Sequence, residues 1–379
     1  MKIAVVILNW NTKDYLRMFL PPLLDSVAMF NGGVSSLETS LAENGSRQAE
    51  GQPDWAEVVV ADSASTDGSM EMMAEKFPSV RRIPLEKNYG FTGGYNRALK
   101  MLCDNPSEDI APASGETARS IPYDLFILLN SDIEVTRDWL RPLADWMKEH
   151  PECGACGPKL HSWYERDMFE YAGAAGGWID RFGYPFCRGR VLGKVEKDSG
   201  QYDTPADVLW VTGACLAVRA SVWNSLEGLD DRFFAHMEEI DLCWRMQLEG
   251  WKVTVIPESM VYHLGGGTLA KNSPQKLYLN YRNNILLLDN NLARTIGRRR
   301  AALRTFCRKL LDGCSAMVYL LSFRMDFFRA VWRAHKDASR LIAEKRSGND
   351  APDSHGRHSV AGIYGGCMIP RALLGIKIL

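Results

Sequence analysis

Three clusters in the 379-residue chain combine residue types and positions that could carry chemistry. Asp62 comes directly off a β-rich run and is followed by Ser63-Ala64-Ser65-Thr66-Asp67-Gly68-Ser69. Thr66 or Asp67 can cap the next helix. Asp62 stands before that cap, where a carboxylate can accept from a nucleobase imide and from ribose hydroxyls. Asn130-Ser131-Asp132 ends the most apolar run of the chain, Leu125–Leu129. An acid there is a turn former or a ligand of a hard divalent cation, and Mg²⁺ usually takes only one or two protein carboxylates. One Asp is enough, and Glu134 is a spare. The third cluster, Phe233 to Arg245, puts Glu238, Glu239 and Asp241 at a helix start, with Asp241 and Arg245 spaced as an i,i+4 pair. The helix dipole alone favours acids in a first turn. It does not account for the preceding aromatic pair, or for His263, 24 residues beyond Glu239.

These residues need a scaffold, and the first 135 residues supply an alternating one. Ile3–Leu8, Glu57–Ala61, Val80–Pro84 and Leu125–Leu129 read as strands, with helices over Tyr15–Val27, Ser69–Phe77 and Gly93–Leu102. The strands are continuous apolar runs, as in a parallel sheet covered on both faces. Their carboxyl ends carry the polar turns, at the edge where open α/β sheets bind ligands. Asn88 to Asn96 is a glycine-bearing turn that aims helix N-terminal amides at that edge. It lacks the Gly-Lys-Ser/Thr of a Walker loop and does not follow the first strand, as a dinucleotide fingerprint would. Asn31–Trp55 and Asp104–Tyr123 read as surface insertions. Beyond residue 135 the pattern gives a helix over Thr136–Glu149, an irregular region over Cys153–Val191, and a strand over Val208–Arg219. A helix over Glu238–Glu249, a strand over Lys252–Pro257 and a helical tail from Leu277 follow.

Charge is nearly balanced overall, at −1, which argues against a whole-protein polyanion binder. The balance hides an asymmetry: residues 294–346 hold 14 Lys and Arg against 4 Asp and Glu. Nine scattered cysteines suit a reducing compartment, and Cys153-x-x-Cys156 lacks the partners of a zinc site. The six apolar residues of the N-terminal run are too few for a signal peptide, so a cytoplasmic location is expected. No run reaches the roughly 18 apolar residues of a membrane span.

In order along the chain, several motifs resemble those of family 2 glycosyltransferases of the GT-A fold, within the rhamnosyltransferase-like and galactofuranosyltransferase-like branch. They are Val5 to Asn11, Asp62 to Ser69, Asn88 to Asn96, Asn130 to Asp132, Thr212-Gly213-Ala214-Cys215, Gly228 to Phe234, the acidic helix start through Arg245, Gly250-Trp251 and His263. The likeness covers about Lys2 to Leu288 and implies an α/β fold, a mostly parallel nucleotide-binding sheet flanked by helices; the pattern beyond it reads as a basic α-helical C-terminal extension. The resemblance also implies residue roles. Asp62 would bind the base of a nucleoside-diphosphate sugar, with Leu8, Asn9, Asn88, Gly93, Asn130 and Ser131 in the same site. Asp132 matches the last acid of the family's Asp-x-Asp element and would hold Mg²⁺ or Mn²⁺. His263 matches a second metal ligand. Glu238 and Glu239 fall on a Glu-Asp pair whose Asp is the catalytic base, so Glu239 departs from the pattern by one methylene, and Asp241 is the fallback.

The reaction expected from this assignment is single in-line displacement with inversion at the anomeric carbon, without a covalent intermediate. Residues 1–135 would form the nucleotide-sugar half, 136–290 the acceptor half, 291–346 the basic extension and 347–379 a flexible tail. Arg294, Arg298, Arg299, Arg300, Arg304, Arg308 and Lys309 alternate with Leu303, Phe306, Leu310 and Leu311, ahead of an aromatic stretch over Tyr319–Trp332. Such a helix suits an anionic membrane surface, and a glycan or polyprenyl-diphosphate-linked acceptor would suit such an enzyme. That makes peripheral attachment to the inner face of the cell membrane the expectation. A sugar nucleotidyltransferase would need a basic glycine-rich signature near the first strand, unlike Asn9-Trp10-Asn11. An inactive carbohydrate-binding relative is the other alternative. No nucleic-acid role is expected.

Overall fold

The computed structural model describes residues 1–32, 54–106, 122–265, 273–347 and 359–373. Most of the two expected insertions lies outside these residues. The chain opens β1 (Lys2–Asn9), α1 (Lys13–Phe30), β2 (Trp55–Asp62), α2 (Ser69–Lys76), β3 (Arg81–Pro84), α3 (Gly90–Asp104) and β4 (Leu125–Leu129). β1 pairs in parallel with both β2 and β4, and β2 with β3. Alternate residues of β1 enter opposite cores: Ala4 and Val6 on one face, Ile3, Val5 and Ile7 on the other. This two-sided burial explains the unbroken apolar run. Gly94 of α3 has no side chain where a Cβ would lie 2.6 Å from Leu8, so the helix packs closely on β1.

Next come β5 (Ile133–Val135), α4 (Leu140–Glu149), β6 (Cys153–Ser162), β7 (Gly177–Asp180), β8 (Pro185–Cys187), β9 (Arg190–Val191), β10 (Lys194–Val195), β11 (Ala206–Asp207), β12 (Cys215–Arg219), α5 (Ala220–Ser225), α6 (Glu238–Leu248) and β13 (Lys252–His263). The nine-stranded main sheet runs β11-β13-β6-β12-β4-β1-β2-β3, with β5 on β13. β12 lies antiparallel between β4 and β6. Thus the amino-terminal half is parallel and the sheet as a whole is mixed. The region expected to be irregular from Cys153 in fact opens with the ten-residue β6, which pairs in parallel with β13. The run 208–219 is not one strand. Leu209 and Trp210 bond to Gly177 of β7, which forms a second, smaller sheet with β8, β9 and β10, before β12 rejoins the main sheet. β13 continues past Pro257 to His263 through a register shift between Ile256 and Met260.

The C-terminal part is helical, as the sequence indicates: α7 (Pro274–Ile296), α8 (Arg298–Leu321) and α9 (Met325–Ser347). Ser273 caps α7 by accepting from the Lys276 amide, with Pro274 in the first turn. Two of the basic residues expected to face a membrane do not. Arg308 is buried, paired with Asp312 and stacked 3.9 Å from the Tyr184 ring, and Arg294 pairs with Glu249.

Residues 359–373 run counter to the expectation of a flexible tail. β14 (Ile363–Tyr364) adds in parallel to β7, the Met368 amide in α10 (Met368–Leu373) donates to Asp180, and the Ala361 amide donates to Gln247. Gly362, at φ +71°, is required: a Cβ there would sit 2.2 Å from the Leu209 amide. No periodic apolar pattern marks such a short segment, so its docking was not legible in advance.

Candidate active site

The carboxyl ends of β1, β2 and β4 form the shelf on which the site is built. Asn9 and Asp62 are register partners at the ends of adjacent parallel strands, and Asn9 Nδ2 donates to Asp62 Oδ1 at 2.7 Å. The other Asp62 oxygen accepts from the Ser65 amide at 3.0 Å, and Ser65 Oγ accepts from Asn9 Nδ2 and the Asn11 amide. Buried in this loop, Asp62 has lone pairs left for a nucleoside, but its first job is to shape the turn. The true helix restraint is Asp67, which accepts from the Ser69 amide.

The glycine-bearing turn behaves differently from expectation. Asn88 Oδ1 accepts from the Gly90 amide, while the Phe91 and Thr92 amides donate to the Phe234 carbonyl at 2.7 and 3.2 Å. A Cβ on Gly90 would lie 2.5 Å from Phe234, and one on Gly93 would meet Arg97 and Tyr89. The first amides of α3 are therefore committed to the loop before α6 instead of standing free for a phosphate. Gly93 packs within the protein.

At the end of β4, Asp132 Oδ1 lies 3.3 Å from His263 Nε2, across the β5–β13 pairing that sets Ile133 opposite His263. On the far side of the imidazole, Nδ1 stands 3.2 Å from Glu170 Oε2. All three side chains are buried. Burial opposes charge on the ring, yet the two carboxylates outweigh it and raise His263 to about 10. Burial also works against the Asp132 charge, but the His263 contact holds that carboxyl below its usual range. An oxygen and a nitrogen 3.3 Å apart suit two ligands of one cation once Nε2 is free of its proton. Among the described residues, no group of three His, Cys, Asp or Glu side chains could hold an ion. Two protein ligands leave room for water and phosphate oxygens.

The Thr212–Cys215 turn touches both the segment before Asp132 and the acidic turn. The Asn130 amide donates to the Ala214 carbonyl at 2.9 Å, and the neighbouring Gly213 lies 3.5 Å from Glu239, measured from the position of a Cβ to the Glu239 Cβ. Glu170 and Glu239 both act electrostatically on the buried Cys187 thiol. Asn130, two residues before Asp132, and Glu239 thus meet the same Thr212–Cys215 turn. Burial pushes Glu239 up to about 7, and burial plus the Glu239 charge raises Glu238 well above the ordinary carboxyl range. An oxygen of each carboxyl has no hydrogen-bond partner. Glu239 is the more exposed of the two.

Asp241 drops out as a base. It is completely buried, with Arg245 on one oxygen at 2.7 Å and Asn290 and Asn291 on the other, both at 2.8 Å. Its carboxylate fastens α6 to α7. The spare acid Glu134 is likewise occupied, by Arg166 and Trp163. A cavity of about 250 Å³ lined by Trp146, His150, Glu152 and Lys252 lies at the opposite, amino edge of the sheet and has none of these groups.

The family model for glycosyl transferase family group 2 matches residues 125–332, more than half of the chain. The chain belongs to this family. It is a glycosyltransferase. Among curated relatives, the N-acetylglucosaminyl-diphospho-decaprenol L-rhamnosyltransferase of Mycobacterium tuberculosis is 26% identical over 238 residues, covering 61% of this chain and 74% of the relative. Rhamnosyltransferase WbbL of Escherichia coli is 27% identical over 39% of this chain and 55% of its own length. Among solved structures, S. aureus TarS 1-349 in complex with UDP-GlcNAc superposes with a TM-score of 0.51 at 14% identity, covering 95% of this chain and 97% of that one. That likeness bears on the fold alone.

Two further residues of the site carry little in the sequence that would single them out. Glu170 lies in a segment with no regular pattern, and only the folded chain brings it to His263. Asn283, wholly buried on α7, donates from Nδ2 to the carbonyls of Phe233, Ala235 and His236 at 3.0, 2.7 and 2.6 Å, and Arg282 adds a bond to Phe233 at 2.6 Å. Phe234, His236 and Met237 all have positive φ, a conformation costly for non-glycine residues. The glycosyltransferase therefore holds the turn entering Glu238 and Glu239 in a strained path by clamping it from α7. An Asn within an apolar-periodic helix is the only sequence signal of that role.

Proposed function

We propose that the enzyme transfers a sugar, rhamnose in the first instance, from a nucleoside-diphosphate donor to a polyprenyl-diphosphate-linked or related glycan acceptor, with inversion. The carrying observation is the Thr212–Cys215 turn, whose Ala214 carbonyl accepts from Asn130 just before the paired Asp132 and His263 and whose Gly213 lies against Glu239. Asp62, Asn9, Leu8 and Asn88 border the nucleoside end, with Asn130 and Ser131 next to the diphosphate. Asp132 and His263 would hold a divalent cation, which when bound neutralises charge developing on the departing diphosphate. The mixed nitrogen and oxygen donor set favours Mn²⁺ over Mg²⁺. Glu239 accepts the proton of the acceptor hydroxyl during attack. Its raised pKa matches a base that works near neutrality. The lipid-linked acceptor is supported by the mycobacterial relative, an N-acetylglucosaminyl-diphospho-decaprenol L-rhamnosyltransferase.

Among the described residues, no helix is long and apolar enough to cross a membrane. The acceptor is reached instead by contact of the basic segment 294–346 with an anionic surface on the inner face of the cell membrane. A transfer assay with a panel of nucleoside-diphosphate sugars and Mn²⁺ tests the reading. Transfer should require the cation and fail in Asp132→Ala. Metal-independent transfer, or hydrolysis without transfer to any acceptor glycan, would reject it.

A further inference from the structure

α8 is amphipathic in the wrong sense for a helix of a water-soluble surface. The face turned into the protein consists of Ala301, Arg308, Asp312 and Ala316, small or charged residues. The opposite face carries Leu303, Phe306, Leu310, Cys314, Met317 and Leu321, all exposed, with Leu303 at 64% and Leu321 at 74% of full accessibility. Their three- and four-residue steps form one stripe along a helix of 3.6 residues per turn. At 1.5 Å per residue it runs for about 27 Å. No charged residue interrupts it. Among the described residues nothing covers it. Single exposed apolar residues are ordinary, but a continuous stripe of this length marks a contact surface.

The turn after α8 supports the same reading. Phe323, at φ +57°, takes a conformation suited to glycine and leaves its ring 92% exposed. Neither packing nor turn geometry accounts for an aromatic ring there. Trp332 on α9 is also exposed, with the exposed cations Arg329 and Lys336 one turn to either side of it. Tryptophan ringed by cations is the composition of a bilayer interface.

The geometry points to a lipid bilayer as the occupant, and we propose that α8 lies in the plane of an anionic membrane with this stripe inserted among the acyl chains. The charges decide against a second copy of the chain. Arg298, Arg299 and Arg300 are exposed at one end of the stripe and Arg324 at the other. An antiparallel pair of α8 helices would set basic end against basic end, and a parallel pair would stack the arginine triplets. Anionic headgroups satisfy both ends. Through α7, against which α8 packs, the inserted helix is one helix layer, roughly 10 Å, from the clamped turn before Glu238. That offset brings the catalytic cleft near headgroup level, where the diphosphate of a lipid-linked acceptor would sit.

This inference rests on the proposed surface contact and adds insertion to it, so the two predict different salt dependence. Full-length protein is floated with phosphatidylglycerol–phosphatidylcholine vesicles at about 0.1 M and at about 1 M salt, where the Debye length falls to about 3 Å. Insertion predicts that a substantial fraction of wild-type protein stays bound at high salt. Phe306→Ser/Leu310→Ser should lower that salt-resistant fraction at least roughly tenfold, keep low-salt binding, and leave turnover of a water-soluble acceptor analogue unchanged. Complete release of wild-type protein by salt, or equal retention of the double variant, overturns insertion but leaves surface contact standing. No binding at either salt overturns both. A dimer in solution that the double variant abolishes would assign the stripe to a second copy and overturn the proposal.

Discussion

Glu239→Gln removes the proposed proton acceptor while keeping nearly the same side-chain volume. Loss of a positioned base lowers turnover by about 10²–10⁴-fold. With the carboxyl at about 7, burial being the cause, roughly a tenth of the wild-type enzyme carries the ionised base at pH 6 and roughly nine-tenths at pH 8. kcat/KM should therefore climb about tenfold per pH unit below 7 and level off above it, a step that Glu239→Gln lacks. The same shift has a sign for stability. A carboxyl whose folded pKa lies above its unfolded value of 4.5 stabilises the fold least when ionised, so stability falls as pH rises from about 4.5 through about 7. At pH 8 the substitution should stabilise the protein by up to about 3 kcal/mol, at 1.36 kcal/mol per pKa unit, read by urea denaturation at pH 5 and pH 8. Glu239→Asp keeps the charge but withdraws it by about 1 Å, a displacement that can cost about 100-fold. Undiminished turnover in Glu239→Gln, with a pH step matching the wild type, would refute the assignment of the base.

Glu170→Gln keeps the volume beside His263 but removes the carboxylate that orients the ring; Mn²⁺ affinity measured by calorimetry should fall about 10–100-fold, with little change in melting temperature. Asn283→Ala frees three carbonyls of the strained turn and should cost about 2–4 kcal/mol in urea denaturation, together with a fall in kcat larger than the change in KM. Gly362→Ala forces a Cβ to within 2.2 Å of the Leu209 amide and should release β14, seen as new protease cleavage between residues 347 and 373 with the catalytic sheet intact.

The parallel half of the sheet was legible because both of its faces are buried: β1, β2 and β4 are unbroken apolar runs ending in polar turns. The acids at those ends were legible for the same reason, since chemistry at an open sheet gathers at the carboxyl edge. β6 was missed because Gly154, Gly157 and Pro158 break any apolar run, and they are tolerated only because Val211, Cys215 and Trp251 close over the two glycines. Asp241 misled because an acid in a first helical turn has the same sequence appearance whether it faces a cleft or a neighbouring helix. Only the positions of Arg245, Asn290 and Asn291 distinguish them. The α3 amides misled in the same way, since their partner, the Phe234 carbonyl, lies more than a hundred residues away.

The most direct test of the central claim is a crystal structure with Mn²⁺ and a non-transferable nucleoside-diphosphate sugar. One cation should lie within about 2.0–2.6 Å of both the Asp132 carboxylate and His263 Nε2, touching the diphosphate, with the anomeric carbon facing Glu239. A cation bound away from Asp132, or a sugar whose anomeric carbon turns from Glu239 toward the protein interior, would contradict it.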